Sequence, residues 1–143
     1  EIMPSLVGSE MCIRDRYLQD YEEVYDYRNI EVTIDEQGVF KVTMNESLAV
    51  ALLTNLLKNA FVHNIDGGHI RITVTKNGIT FRNSGVEHPL NKEHIFERFY
   101  QGSKKEGSTG LGLAIADSIC RLQHLNIKYY FEQNEHCFEI SQS

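Results

Sequence analysis

Between Ser47 and Asn64 the chain reads SLAVALLTNLLKNAFVHN, and Leu48, Leu52, Leu53, Leu56, Leu57, Ala60 and Phe61 recur at steps of three and four. That period predicts a helix packed along one side against a core. Asn45 through Ser47 supply the N-cap chemistry that starts it. Gly67 and Gly68 follow its end, where glycine tolerates the positive φ that stops a helix. Upstream, Tyr17 to Tyr27 places Tyr17, Tyr21, Val24 and Tyr25 at helical steps among acids, predicting a short amphipathic helix. Ile30 to Ile34 and Phe40 to Met44 alternate apolar with polar about Gln37 and Gly38, which predicts a strand pair.

Downstream, His69 to Thr75 and Gly78 to Arg82 alternate around Lys76-Asn77-Gly78, a strong hairpin signal. Lys92 to Gln101 predicts a short helix with Ile95, Phe96 and Phe99 on one side. Gly102 to Gly110 is polar and glycine-rich and is expected to be a mobile loop, after which Leu111 to Gln123 returns to helical period. Ile127 to Glu132 and Cys137 to Ile140 predict a closing pair of strands. Hairpins in this order imply an α+β two-layer sandwich, a mixed, mostly antiparallel sheet packed on one face by helices.

Residues 1–16, EIMPSLVGSEMCIRDR, show no helical or strand period, and Leu6 to Arg16 resembles a direct translation of a transposase sequencing adapter. The segment is expected to be non-native and disordered, with residues 17–143 forming the domain and the natural chain continuing upstream.

A polar stripe interrupts the apolar helix, because Asn55, Asn59 and His63 step by four and share one face. Burying an unpaired amide costs roughly 1 to 3 kcal/mol, so the stripe needs partners. Two readings fit: asparagines satisfied by neighbouring backbone, or carbonyl oxygens facing a hydrated cation and a polar ligand. Composition narrows the ligand. A net charge of −6, without a Lys/Arg-rich run, argues against nucleic acid. Three cysteines without CxxC spacing indicate neither a disulfide framework nor a zinc site, which favours a reducing, cytoplasmic setting. No apolar run approaches the roughly 18 residues of a membrane span.

Glu106 to Leu113, EGSTGLGL, is a G-x-x-G-x-G run that opens a helix. Backbone N–H groups and a helix dipole meet there, which makes a phosphate site, with a plain flexible linker as the alternative. The run does not follow a strand and lacks Gly-Lys-Ser/Thr, so neither a Rossmann site nor a P-loop is supported.

Four pieces in fixed order resemble the ATP-binding catalytic domain of bacterial sensor histidine kinases, within the superfamily shared with gyrase. NLLKNAFVHN at Asn55 to Asn64 is similar to that family's N box, and NSG at Asn83 to Gly85 to its first glycine box. IFERFYQG at Ile95 to Gly102 is similar to its F box, and GSTGLGLAI at Gly107 to Ile115 to its second glycine box. The resemblance spans residues 17–143 and implies a Bergerat-type fold binding Mg-ATP. It implies that Asn59 coordinates Mg²⁺, that Asn55 bonds the phosphates or a metal-bound water, and that Asn83 and Gly85 meet adenine. It further places Gly107, Thr109, Gly110, Leu111 and Gly112 around the phosphates, Lys104 and Lys105 on a lid above them, and Arg98 at the transferred phosphoryl group. His63 stands where the family usually has an aromatic, as a phosphate contact or a core imidazole.

Three departures stand out. Asn83 replaces the usual Asp and offers a neutral acceptor, Glu87 replaces a second glycine, and Val62 stands where Lys or Arg is usual. None of His63, His69, His88, His94, His124 and His136 carries the family's phospho-acceptor motif. The resemblance therefore implies transfer to a histidine on an upstream helical dimerisation domain, a homodimeric parent and a cognate response regulator. It implies a cytoplasmic domain and leaves open anchoring of the parent in the inner membrane. The alternative is a catalytically weak or inactive nucleotide-binding module of the same fold. A gyrase-type dimeriser or an anti-sigma serine kinase is disfavoured, because the lid between Tyr100 and Gly107 is very short and Thr54 and Asn55 stand where the gyrase group has a catalytic Glu ahead of its metal Asn.

Overall fold

The computed structural model describes residues 3–7, 18–87, 89–97 and 111–142. Its elements are β1 (Met3–Val7), α1 (Gln19–Val24), a 3-10 turn (Asp26–Arg28), β2 (Glu31–Glu36), β3 (Phe40–Met44) and α2 (Glu46–Val62), then β4 (His69–Thr75), β5 (Gly78–Asn83), α3 (Gly112–Leu122), β6 (Leu125–Glu132) and β7 (Glu135–Gln142). Five strands form one sheet in the order β2-β4-β5-β7-β6, with β2 and β4 parallel and every other neighbour antiparallel.

Strand alternation builds the core. Ile70, Ile72 and Val74 of β4, Ile79 and Phe81 of β5, and Phe138 and Ile140 of β7 are buried together with Leu52, Leu53, Leu56, Leu57 and Phe61 of α2 and Ala116, Ile119 and Cys120 of α3. The intervening residues of β4, His69, Arg71, Thr73 and Thr75, are exposed or half-buried. One sheet face thus carries the apolar side chains that the helices cover, the two-layer sandwich expected from the pattern. Asn45 caps α2, its Oδ1 accepting the Ser47 N–H at 2.7 Å.

Three expectations are corrected. β2 and β3 do not pair with each other: β2 lies parallel to β4, with Val32 opposite Ile70 and Ile34 opposite Ile72, and the Gln37 N–H donates to the Val74 carbonyl at 2.8 Å. Joining the main sheet puts the apolar face of β2 against the core, which a detached pair with β3 does not do. β3 pairs instead with β1, Met3 opposite Met44 and Val7 opposite Phe40. Residues 3–7 are therefore a strand within the stretch expected to be disordered. Strand addition runs on main-chain hydrogen bonds, so an extended segment joins an open edge without a hydrophobic period of its own. Finally, residues 92–97 form turns and a bend rather than a helix. Bonds of i to i+3 type link His94 N to Asn91 O and Glu97 N to His94 O, and Asn91 Oδ1 accepts from Glu93 N. The remainder of the expected helix at 98–101, and the expected mobile loop at 102–110, lie outside the described residues.

Candidate nucleotide site

The polar stripe of α2 is half-buried at Asn55, Asn59 and His63, while the opposite side of the helix is core. Asn55 uses its amide nitrogen internally, donating from Nδ2 to the Ala51 carbonyl at 2.7 Å. Its Oδ1 is left turned toward α3. A Cβ built on Gly112 would stand 3.1 Å from that oxygen, so the first residue of α3 lies directly against it. Two motifs more than fifty residues apart in sequence thus meet at one point. The N-cap of α3 is Leu111, an apolar residue that makes no side-chain cap hydrogen bond, and a helix N-terminus is where backbone N–H groups can meet an anion. Asn55 keeps its Oδ1 as an acceptor for a cation or a metal-bound water, and the second N–H of its Nδ2 as a donor.

The C-terminal end of α2 is held by two devices that the sequence reading gave no role. Arg28 donates from Nη1 to Phe61 O at 2.6 Å and Val62 O at 3.4 Å, from Nη2 to Asn64 O at 2.6 Å, and from Nε to Asp66 Oδ1 at 2.8 Å. A guanidinium fork on the last carbonyls satisfies orphan acceptors and opposes the negative end of the dipole. No local pattern announces it, because its partners lie 33 to 38 residues away. Tyr21 and Tyr25 stack on Phe61 beside it, at centroid distances of 6.2 and 5.4 Å. Burial raises both phenols above their ordinary value, so they stay neutral.

Asn64, fully buried, donates from Nδ2 to Ala60 O and His69 O, and its Oδ1 accepts from Ile65 N and from the Ser84 hydroxyl at 2.5 Å. Ser84 Oγ in turn accepts from His69 N at 2.9 Å. This network ties the helix end to the start of β4 and to the Asn83-Ser84-Gly85 bend. The only sequence signal for it was that Asn64 and Ser84 fall inside the motif boxes.

Asn83 closes β5 at 1% exposure. Its Nδ2 donates to the Ser84 carbonyl at 2.8 Å, and since a carbonyl can only accept, the amide orientation is fixed by its neighbour. Asn83 Oδ1 then has no partner, the one buried side-chain polar atom in that state among the described residues. A buried acceptor of this kind marks the place of a donor yet to be supplied. Gly85 is needed beside it, because a Cβ there would come within 2.9 Å of the His63 carbonyl oxygen and 3.0 Å of the His136 ring. The bend therefore abuts the end of the polar stripe. From Asn55 to His63 the stripe runs about 12 Å along the helix axis, with the Gly85 bend at one end and the α3 N-terminus at the other.

The remaining expected residues divide into two groups. Val62 is 4% exposed and packs in the core. Glu87 is exposed. Phe96 packs edge-on against Phe138 at 6.3 Å and Ile95 is buried, which agrees with an anchoring role for the F box. Arg98, Lys104, Lys105, Gly107, Thr109 and Gly110 lie outside the described residues. Burial pushes the Cys120 thiol up to about 12, with Asp117 adding to the shift, so it is no nucleophile. No helix among the described residues is long and apolar enough to cross a membrane.

Comparison with known proteins fits this geometry. The family model for histidine kinase-, DNA gyrase B-, and HSP90-like ATPases matches residues 44–141. The sensor histidine kinase RppB of Synechocystis sp. is 44% identical over 84 residues, which cover 52% of this chain and 18% of RppB. The heme sensor protein HssS of Staphylococcus aureus is 40% identical over 90 residues, 59% of this chain and 20% of HssS. The match thus takes in about a fifth of those relatives. The catalytic domain of histidine kinase ThkA superposes with a TM-score of 0.82 at 25% identity, covering 98% of this chain and 93% of that one. ThkA in complex with the response regulator protein TrrA gives 0.75 at 24% identity, covering 99% of this chain and 42% of that one. Matched by one family model from residue 44 to residue 141, the chain belongs to the histidine kinase-, DNA gyrase B-, and HSP90-like ATPases.

Proposed function

We propose that the chain is the ATP-binding catalytic domain of a sensor histidine kinase, which binds Mg-ATP and passes the γ-phosphoryl group to a histidine on a helical dimerisation domain outside residues 17–143. The observation that carries this reading is the meeting of Asn55 Oδ1 with Gly112 at the start of α3. An oxygen donor for a cation and main-chain donors for an anion then face one triphosphate. Asn83 Oδ1 accepts the exocyclic amine of adenine, with Gly85 allowing the bend to lie close to the base. Asn59 is the Mg²⁺ ligand, with the Asn55 oxygen beside it; amide carbonyls are the hard donors that ion takes. Mg²⁺ when bound supplies charge neutralisation at the phosphates. The backbone of Gly107, Thr109, Gly110, Leu111 and Gly112 binds those phosphates, Lys104 and Lys105 add positive charge above them, and His63 lies along the stripe between base and phosphates. Arg98 stabilises charge on the transferred group, because phosphoryl transfer asks for positioning and electrostatics more than covalent chemistry.

The partner of the parent protein is a response regulator, as the complex of ThkA with the response regulator protein TrrA suggests by likeness. Residues 1–16 are proposed as non-native, which sequencing across the junction of the source gene tests. A second reading, a catalytically weak module, is favoured by the neutral acceptor at Asn83 and the exposed Glu87. Calorimetry with and without Mg²⁺ separates the two. Wild-type chain is expected to bind Mg-ATP, and Asn59→Ala to lose the magnesium-dependent part while circular dichroism stays unchanged. Unchanged Mg-ATP affinity in Asn59→Ala removes the metal assignment, and no heat with millimolar ATP in the wild type favours the weak module.

A further inference from the structure

We propose that His136 and Tyr129 are positioning residues for the nucleobase end of the site, clamping the backbone on the far side of the Asn83-Ser84-Gly85 bend. The inference rests on the nucleotide reading above and deepens it. His136 stands opposite Asn83 in the register of β5 and β7, and it is 4% exposed. Its Nε2 lies 2.8 Å from the Val86 carbonyl and its Nδ1 2.8 Å from the Tyr129 hydroxyl, while the Leu90 N–H donates to that same hydroxyl at 2.9 Å.

Proton positions follow from the partners. The Val86 carbonyl only accepts, so Nε2 donates to it, and Nδ1 shares the second bond with the Tyr129 hydroxyl. The Tyr129 oxygen also accepts the Leu90 N–H. The result is a continuous chain from Leu90 through Tyr129 and His136 to Val86, in which each bond polarises the next. Ring packing fixes its geometry: His136 stacks on Tyr129 at 5.9 Å and 22°, and Phe131 leans on it at 4.8 Å.

The clamp reaches the site through Gly85. A Cβ at that position would lie 3.0 Å from His136 Cδ2 and 2.9 Å from the His63 carbonyl, so the bend is wedged between the histidine ring and the end of α2. With Glu87 where the family has its second glycine, the β6–β7 hairpin holds both Val86 and Leu90 by side chains. Immobilising this backbone keeps Asn83 Oδ1 aimed, and the site reads an amine donor on the base rather than an oxygen acceptor.

The test compares Mg-ATP with Mg-ITP, whose base carries a carbonyl oxygen in place of the amine, by calorimetry on the whole chain and on Tyr129→Phe. That substitution removes one hydroxyl from a ring whose packing stays. The wild type is expected to prefer ATP, and in Tyr129→Phe the ATP-to-ITP affinity ratio is expected to fall about fivefold, the worth of one hydrogen bond. His136→Gln, which keeps a donor for the Val86 carbonyl, is expected to lower the ratio in the same direction. Equal weakening of both nucleotides, as general loosening of the fold produces, or no change in the ratio, overturns the inference while leaving the nucleotide reading in place. No ATP preference in the wild type overturns both together.

Discussion

Replacing Asn83 with leucine, a side chain of similar shape, is expected to leave the stability of the free protein nearly unchanged while weakening its binding of ATP. In the free protein Asn83 Oδ1 is buried without a partner, and such an atom costs about 1 to 3 kcal/mol. The same side chain gains one hydrogen bond, Nδ2 to Ser84 O, with a net worth of about 1 kcal/mol. Leucine removes the orphaned oxygen but leaves the buried Ser84 carbonyl without its donor, a cost of the same size. The balance is close to zero, about 1 kcal/mol either way, at roughly 3 to 5 °C of melting temperature per kcal/mol for a chain of this size. For ATP the acceptor of the base amine is gone, which corresponds to roughly ten- to a hundredfold weaker binding. Because the chain has no tryptophan, urea unfolding is best followed by circular dichroism, with calorimetry for ATP. Destabilisation of more than about 1 kcal/mol together with wild-type ATP affinity would refute the assignment, since Oδ1 would then have been structural.

Two other substitutions test the opposite ends of the α2 stripe. Gly112→Ala sets a Cβ 3.1 Å from Asn55 Oδ1, so that oxygen must shift by a few tenths of an ångström while α3 gains up to about 1 kcal/mol of helix propensity. Thermal stability is expected to hold or rise as Mg-ATP binding weakens, and calorimetry beside a melting curve would show whether the two separate. Arg28→Ala removes a charged fork from three carbonyls and Asp66, and a loss of about 2 to 3 kcal/mol is expected in urea unfolding. A loss below about 0.5 kcal/mol would show that water replaces the fork.

Local periodicity made much of this fold legible. The α2 helix, the β4–β5 and β6–β7 hairpins and α3 were all visible because their hydrophobic spacing and their turns lie within a dozen residues of one another. What failed was non-local. β2 alternates as a hairpin strand does, but its partner is β4, beyond β3 and α2, and neither alternation nor Gln37-Gly38 carries that information. Lys92 to Glu97 has helical spacing of Ile95 and Phe96, yet Asn91 and the i to i+3 bonds hold it as turns. Within the candidate site, Asn55, Asn59 and Gly112 stood out because Asn in an apolar helix and a glycine run at a helix start break local rules, whereas Asn83 was marked only by the resemblance of Asn83 to Gly85 to a family motif. Arg28, Asn64, Ser84, His136 and Tyr129 obey those rules, and only their partners reveal them.

The account stands on one nucleotide touching both ends of the stripe, and residue-resolved NMR titration with a non-hydrolysable Mg-ATP analogue tests that most directly. The side-chain amide of Asn83 and the backbone amides of Gly112, Leu113 and Ala114 are expected to shift together along one binding curve with a single dissociation constant. Shifts confined to one of the two groups, or two curves with separate constants, would contradict it.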